Sequence, residues 1–326
     1  MMGQSKIVAA LIAALPLAAA GEASAQSYPN KPVRVVVGFA PAGPADMIAR
    51  VVGDKLSEFW GQPVLIENAT GAAANVAGDR AAKAAPDGYT LLMASNAQIV
   101  VNPFLYEKMP FDPAKDLITI SQSVFTPNLL VVPNDVPAKT VQELVTYARA
   151  NPGKLTYASA GTGTTQHLAA ELFKSMAKLD IQHVPYRGAT PAITDLLGGR
   201  VTMFFGNIAP LVPLVREGKL RALAVTSAKR FGAVPELPTM IEAGFPGFEA
   251  VAAFGLMAPT GVPQAIVNKI HQDHVKALGP ADLRKKLADV GMEVIASSPA
   301  EFAAALAAER PQWEKLIKEA GIKAGN

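Results

Sequence analysis

The sequence predicts an α/β protein divided into two lobes, and three features point there. Short β-branched runs are apolar on both faces, as parallel strands buried under helices are. Segments of helical period separate these runs, the alternation expected of an α/β layer structure. Two apolar stretches marked by proline or glycine lie where the chain is expected to cross between lobes. A chain of 326 residues, half apolar and only 6% aromatic, has the length for two cores.

In chain order, strands are expected from Val33 to Phe39, Val64 to Glu67, Tyr89 to Ser95, Leu129 to Val132, Leu155 to Ser159, Val201 to Phe205 and Leu220 to Thr226. Helices are expected from Ala45 to Phe59, Asn75 to Ala85, Val141 to Ala150 and Thr165 to Ala177. Pro86-Asp87-Gly88 makes a turn before one strand, and Asn151-Pro152-Gly153 ends one helix. The expected crossings are Thr126 to Val136 and Phe248 to Thr260. Together they predict a first lobe of residues 26–128 plus 249–326 and a second of residues 129–248. The C-terminal part is mainly helical, with Pro263 starting one helix and Ser298-Pro299 preceding another that carries Phe302, Leu306 and Trp313.

The first residues read as an export signal. Lys6, the apolar run Ile7 to Ala20 and the triplet Ala23-Ser24-Ala25 correspond to the n-, h- and c-regions of a secretory leader. Cleavage is expected near Ala25/Gln26, leaving a soluble periplasmic chain. The apolar run is shorter than the ~20 residues a bilayer span needs, and no later stretch approaches that length without charge or proline. Cysteine is absent, which excludes disulfides, thiol nucleophiles, zinc-thiolate sites and lipoprotein acylation. Lys and Arg number 30 against 27 Asp and Glu. That small excess selects no partner, and no basic run is interleaved with aromatics as nucleic-acid binding favours.

Two loops carry the candidate chemistry. The first, Gly38 to Asp46, joins a buried strand to an amphipathic helix and aims main-chain N–H groups into a crevice. Helix N-terminal amides and the helix dipole favour an anion there by roughly 0.3–1 kcal/mol; the alternative is an ordinary turn capped by Asp46. The second, Ser159 to His167, offers hydroxyls and N–H groups from the other lobe. It fails as a dinucleotide fingerprint because Gln166 takes the third glycine position, and it lacks the Gly-Lys-Ser/Thr ending of a phosphate loop. Tyr157-Ala158-Ser159-Ala160-Gly161 resembles a nucleophile elbow with Tyr157 in place of its first glycine; His183, His271 and His274 follow it in order. His167 and Glu171 share a helical face, and His271 and His274 lie three apart, but neither pair has a third metal ligand at a recognisable spacing. His271 and His274 are expected on a solvated helix face. Further polar groups stand where strands end: Ser95 to Gln98, Tyr186-Arg187-Gly188 and Gly206-Asn207. Ligands of open α/β sheets bind outside such ends. Arg187 has the fork to pair a carboxylate, or else a surface partner.

From Tyr28 to Ile322 the chain resembles the substrate-binding receptors of tripartite tricarboxylate transporters, the Bug or TctC-like family. The resemblance is carried by Ala42-Gly43-Pro44-Ala45-Asp46, Gly61-Gln62-Pro63-Val64, Ala84 to Tyr89, Ala160-Gly161-Thr162-Gly163-Thr164, His183 to Gly188, and Gly218 to Val225. It implies a type II periplasmic binding protein-like fold, with two α/β lobes joined by two crossing segments and a ligand cleft between them. It also implies a non-enzymatic monomer without cofactor or metal, which closes on a small organic acid and meets the integral-membrane subunits of a tripartite transporter.

By position, the first-loop role falls on Phe39, Ala40, Gly43, Ala45 and Asp46. Ser159, Gly161, Thr162, Thr164 and Thr165 grip from the second lobe, with Asn96, His167, Arg187 and Asn207 as wall residues. Phe39, Phe125, Phe205 and Phe254 are the candidate aromatic walls, and an aliphatic dicarboxylate and an aromatic carboxylate both stay open. One departure stands out: the family usually has two adjacent glycines in the first loop, and Ala42 occupies the place of the first. A Cβ disfavours positive φ, so the loop is expected either to hold its shape with negative φ or to bind a different carboxylate. Two other readings stay open, a periplasmic hydrolase built on Ser159 and a ligand-sensing receptor that feeds a signalling partner.

Overall fold

Residues 28–323 are described by a computed structural model; the export signal expected at 1–25 lies outside the described residues. The chain opens with β1 (Val33–Val37), α1 (Pro44–Trp60), β2 (Val64–Asn68), α2 (Asn75–Ala82) and β3 (Thr90–Ser95). A π-helical turn, Ala97–Val101, leads into the short α3 (Asn102–Leu105) and α4 (Pro113–Asp116), then into β4 (Leu117–Pro133). There follow α5 (Val141–Ala150), β5 (Thr156–Ser159), α6 (Thr165–Ala177), β6 (Gln182–Pro185), α7 (Ala189–Leu197), β7 (Met203–Asn207), α8 (Ile208–Arg216) and β8 (Leu220–Val225). The order ends with β9 (Val251–Pro259), α9 (Gln264–Ala277), α10 (Ala281–Asp289), β10 (Glu293–Val294) and α11 (Pro299–Ala320).

β4 belongs to both lobes. Residues 117–127 of it pair with β9, whereas residues 128–133 pair with β7 and β8. The sheet runs β2-β1-β3-β9-β4-β7-β5-β6, with β10 and β8 added on β4. As their two-sided apolar runs predict, β1 pairs in parallel with β2 and β3, and β5 with β6 and β7. The middle differs from the expectation: β4 is antiparallel to all its partners, and β9 to β3. The strand expected from Leu129 to Val132 is only the end of a 17-residue strand. Its first part escapes an apolar reading because polar residues interrupt it, two of them bonded to distant parts of the fold. Ser121 Oγ donates to Ser297 O at 2.7 Å, and Ser123 Oγ lies 2.8 Å from His274 Nε2. The segment expected only to cross, Phe248 to Thr260, contains β9. His274 is fully buried against β4 rather than on a solvated face.

Local signals set the helix ends. Gly61 caps α1 at φ 61°, the left-handed position that glycine takes without strain. Ser298 and Glu301 form a reciprocal capping box on α11. One apolar cluster, including Ile48, Leu91 and Ile270, lies between α1, α9 and the first-lobe strands; another, including Leu196, Phe204 and Ile208, lies under α7 and α8. A third cluster joins residues of both lobes, from Leu92 through Phe173 to Trp313. α11 packs on β4, on the π-helical turn and on α6, so its 22 residues lie over both halves of the sheet.

The seat of α11 on β9 is tight at Gly255, where an added Cβ would lie 2.6 Å from both Phe302 Cε1 and Ser121 O. Backbone cannot move aside as a flexible side chain does. Gly255→Ala is therefore expected to destabilise the fold by roughly 1–3 kcal/mol, read as a lower urea midpoint at unchanged slope.

Candidate functional site

A cleft of about 450 Å³ opens where the strand ends of the two lobes face each other. Phe39, Ala40, Gly43 and Ala45 line it from the β1–α1 loop, and Thr162, Thr164 and Thr165 from the β5–α6 loop. Thr126 of β4 and Ala252 and Phe254 of β9 form its floor. Phe39 and Phe254 meet edge to face, 6.2 Å between centroids at 88°, an apolar wall with its rings in a favourable arrangement. Among the described residues, no ionisable side chain lines this cleft.

The first loop is held from beneath. Asp46 is 1% exposed and faces away from the cleft. Its carboxylate accepts the Ala42 N–H at 2.9 Å, Arg50 at 2.8 and 2.9 Å, and Asn68 at 2.9 Å. The Arg50 hydrogen bonds hold its pKa down to about 2, against the opposing effect of burial, with Asn68 and the Ala42 N–H assisting. Asn68 also donates to Phe39 O at 2.9 Å. Gly43 caps α1 without a side-chain hydrogen bond, so the first-turn amides of a 17-residue helix remain for a ligand.

The alanine in this loop corrects one expectation. Ala42 sits at φ +64°, not at negative φ, and its N–H bond to Asp46 helps hold it there. A second left-handed stretch, Ala72 to Ala74 at φ 45°, 50° and 74°, meets the cleft at Ala73. Each such residue costs about 1–2 kcal/mol. Buried amides hold this turn: Asn102 Nδ2 donates to Ala73 O at 2.9 Å and Gln98 Nε2 to Ala74 O at 2.7 Å.

The second loop also has its supports below the surface. Ser159 is fully buried, its Oγ 2.7 Å from His183 Nε2 and accepting the Gly161 N–H at 3.2 Å. His167 is 4% exposed and its Nδ1 accepts the Gly163 N–H at 3.1 Å. Thr164 caps α6, its hydroxyl receiving the His167 N–H. Burial, with His183 assisting, lowers the His167 pKa to about 3.

Of the residues expected at the site, Phe39, Ala40, Gly43, Ala45, Asn96, Thr162, Thr164, Thr165, Asn207 and Phe254 are brought together in the cleft lining. Asp46, Ser159, Gly161 and His167 stand behind that lining, because their polar atoms are taken up within the loops. Arg187 is exposed and outside it. Asn96 reaches the cleft, but its amide is spoken for: it donates to Val251 O and Glu309, and accepts from Ala253 N–H. Burial pushes the Glu309 carboxyl up to about 7, despite the Asn96 and Trp313 donors. Phe125 packs on Phe231 and Phe205 on Phe248, so neither is a wall of the cleft. Ser95, one of the polar groups noted at a strand end, also lines the cleft, and Asn102, Thr126 and Gln166 line it without having been expected there. Gln166 had a legible signal, as the second residue of a helix whose loop was singled out.

The tripartite tricarboxylate transporter family receptor profile matches residues 48–322. The chain belongs to this family. BugT of Bordetella pertussis is 33% identical over 93% of this chain and 94% of its own. Among solved structures, Rpa4515 of Rhodopseudomonas palustris with adipate is 38% identical, with a TM-score of 0.79 over 91% of this chain and 99% of that one. MatC from Rhodopseudomonas palustris with bound malate is 34% identical, with a TM-score of 0.76 over 89% and 100%. Receptors of this family are periplasmic solute-binding proteins, not enzymes, and among the described residues no helix is long and apolar enough to cross a membrane.

Family membership disposes of the hydrolase reading, and the geometry says why. Ser159 and His183 do meet, but the hydroxyl is fully buried and Tyr157, also buried, fills the place where an elbow needs glycine. In this receptor Ala42 holds a positive φ that glycine would adopt without a Cβ penalty. Ala42→Gly is expected to raise the unfolding free energy by up to about 1 kcal/mol, relief of strain outweighing the added freedom of the unfolded chain. A urea midpoint that stays or falls would show the loop to be relaxed around the methyl.

Proposed function

We propose that this chain is a periplasmic receptor that captures a small organic carboxylate between its lobes and delivers it to the membrane subunits of a tripartite tricarboxylate-type transporter. The observation that carries this reading is the cleft itself: neutral donors from both lobes, including the first turns of α1 and α6, converge on a space without a fixed charge. Such a site suits an anion that accepts hydrogen bonds, since buried donors and the helix dipole replace a countercharge. It offers an ammonium group no countercharge. The adipate and malate held by the two Rhodopseudomonas structures support the same class of solute.

In this reading Phe39, Ala40, Gly43 and Ala45 contact the solute from the lobe of residues 26–128 plus 249–326. Thr162, Thr164, Thr165 and Asn207 close on it from residues 129–248, with Phe254 against its carbon chain. Asp46 acts through the Ala42 amide. The leader is removed near Ala25/Gln26 and the mature chain works as a monomer. A solute stabilises the closed form only through its greater affinity for that form, so contacts from both lobes are required.

Titration calorimetry with adipate, malate and benzoate is expected to find at least one ligand whose binding also reduces the radius of gyration in solution scattering. Binding without compaction would remove closure from the mechanism. Asp46→Ala is expected to weaken the same ligand roughly tenfold, the equivalent of one charged hydrogen bond's contribution; unchanged affinity would detach Asp46 from loop function.

A further inference from the structure

Two imidazoles stack beneath the hydroxyl-rich loop: His167 of α6 and His183 of β6, with ring centres 4.1 Å apart and 17° from parallel. Tyr157 of β5 lies nearly parallel to both, 4.8 Å from His183 and 6.2 Å from His167 between ring centres. None of the three lines the cleft, and capture of a solute assigns them no contact. Each imidazole nevertheless turns one nitrogen toward the loop. The Gly163 N–H has a single hydrogen, given to His167 Nδ1 at 3.1 Å, so that nitrogen carries a lone pair and the ring is neutral. His183 Nε2 meets Ser159 Oγ at 2.7 Å, and the same oxygen accepts the Gly161 N–H. The stack thereby holds the Gly163 amide directly and the Gly161 amide through Ser159 Oγ, two positive-φ residues on either side of Thr162.

We propose that the stacked pair His167 and His183 is a positioning device for solute binding, acting through Gly163 and Ser159 to hold Thr162, Thr164 and Thr165 toward the cleft, and working only while His167 keeps the lone pair on Nδ1. The proposal rests on reading the cleft as a carboxylate site. The loop it holds reaches the opposite lobe, since a Cβ added to Gly163 would lie 2.8 Å from Leu105 Cδ1. A loop free to shift would therefore lose both its donor geometry and this approach across the cleft. The charged and titratable groups around the stack are Glu171 and Lys174 of α6, paired at 3.4 Å, and the Tyr157 hydroxyl, which donates to Glu171. Glu171 favours a charged His183 and Lys174 opposes it, but burial dominates and lowers both imidazole pKa values.

Two variants separate the acceptor from the ring. His167→Asn keeps an acceptor atom near the position of Nδ1, whereas His167→Leu keeps bulk and removes it. Calorimetry with adipate and benzoate is expected to show affinity weakened roughly tenfold by His167→Leu and less than about threefold by His167→Asn. Wild-type affinity in the leucine variant, or equal losses in both, would overturn the proposal. If the leucine variant does not fold, Ser159→Ala serves instead, expected to weaken binding about threefold or more with its circular dichroism intact; unchanged affinity would overturn the proposal equally. Nitrogen NMR of the ligand-free imidazoles provides the second readout, with His167 Nδ1 expected unprotonated from about pH 8 to pH 5. A protonated Nδ1 at neutral pH overturns the clamp whether or not an acid binds. An unprotonated Nδ1 in a protein that binds no acid overturns the carboxylate reading instead.

Discussion

The place where β4 changes partners is the constraint from which the rest of the architecture follows. Between Pro127 and Asn128 its pairing passes from β9 to β7, and at that point the two crossings are bonded to one another. The Asn128 N–H donates to Thr226 Oγ1 at 2.8 Å, the Thr226 N–H returns to Asn128 O at 3.0 Å, and the Thr226 hydroxyl donates to Ala250 O at 2.8 Å. Asn128 and Thr226 are fully buried, so losing either would strand its partners without water to replace them. The junction also sets the direction of the parallel strands on either side. Their C-terminal ends meet across it, which is why loops far apart in sequence share one cleft.

In both loops the groups nearest the cleft are neutral, and the titratable groups stand one layer back. Asp46 braces one loop and His167 with His183 the other. This arrangement follows from the energetics of burial: a charged wall residue would need a permanent partner or a large desolvation cost each time the cleft emptied. Amides and hydroxyls can be solvated in the empty cleft and bonded to a solute in the filled one. The same layering explains the strain at Ala42 and at Ala73 and Ala74, where local backbone energy is offset by hydrogen bonds with buried Asp46, Asn102 and Gln98.

Much of this was legible in the sequence, and for identifiable reasons. The α5 and α6 boundaries are set by Thr140 and Thr164 caps and by a clean helical period, all local signals. The β1–α1 and β5–α6 loops declared themselves because they break apolar runs at strand ends. What the sequence could not show was pairing between distant polar residues. His274 reads as solvent-facing until α9 brings it against Ser123 of β4. Gly71 to Asn75 carried no strand-end signal, so the turn that brings Ala73 to the cleft passed unnoticed. Likewise Asp46, Ser159 and His167 have the composition of ligand groups, and only their three-dimensional neighbours place them behind the lining.

Helix α11 has a mechanical consequence. Its 22 residues rest on the first lobe through Phe302 and reach α6 of the second. A rigid rod fixed across a joint acts as a splint: it resists bending in the plane that contains it and leaves sliding and twisting along its length as the compliant motions. Any rotation of one lobe against the other would have to carry α6 along α11. The rod would thereby remove the lateral freedom that two strands alone would allow.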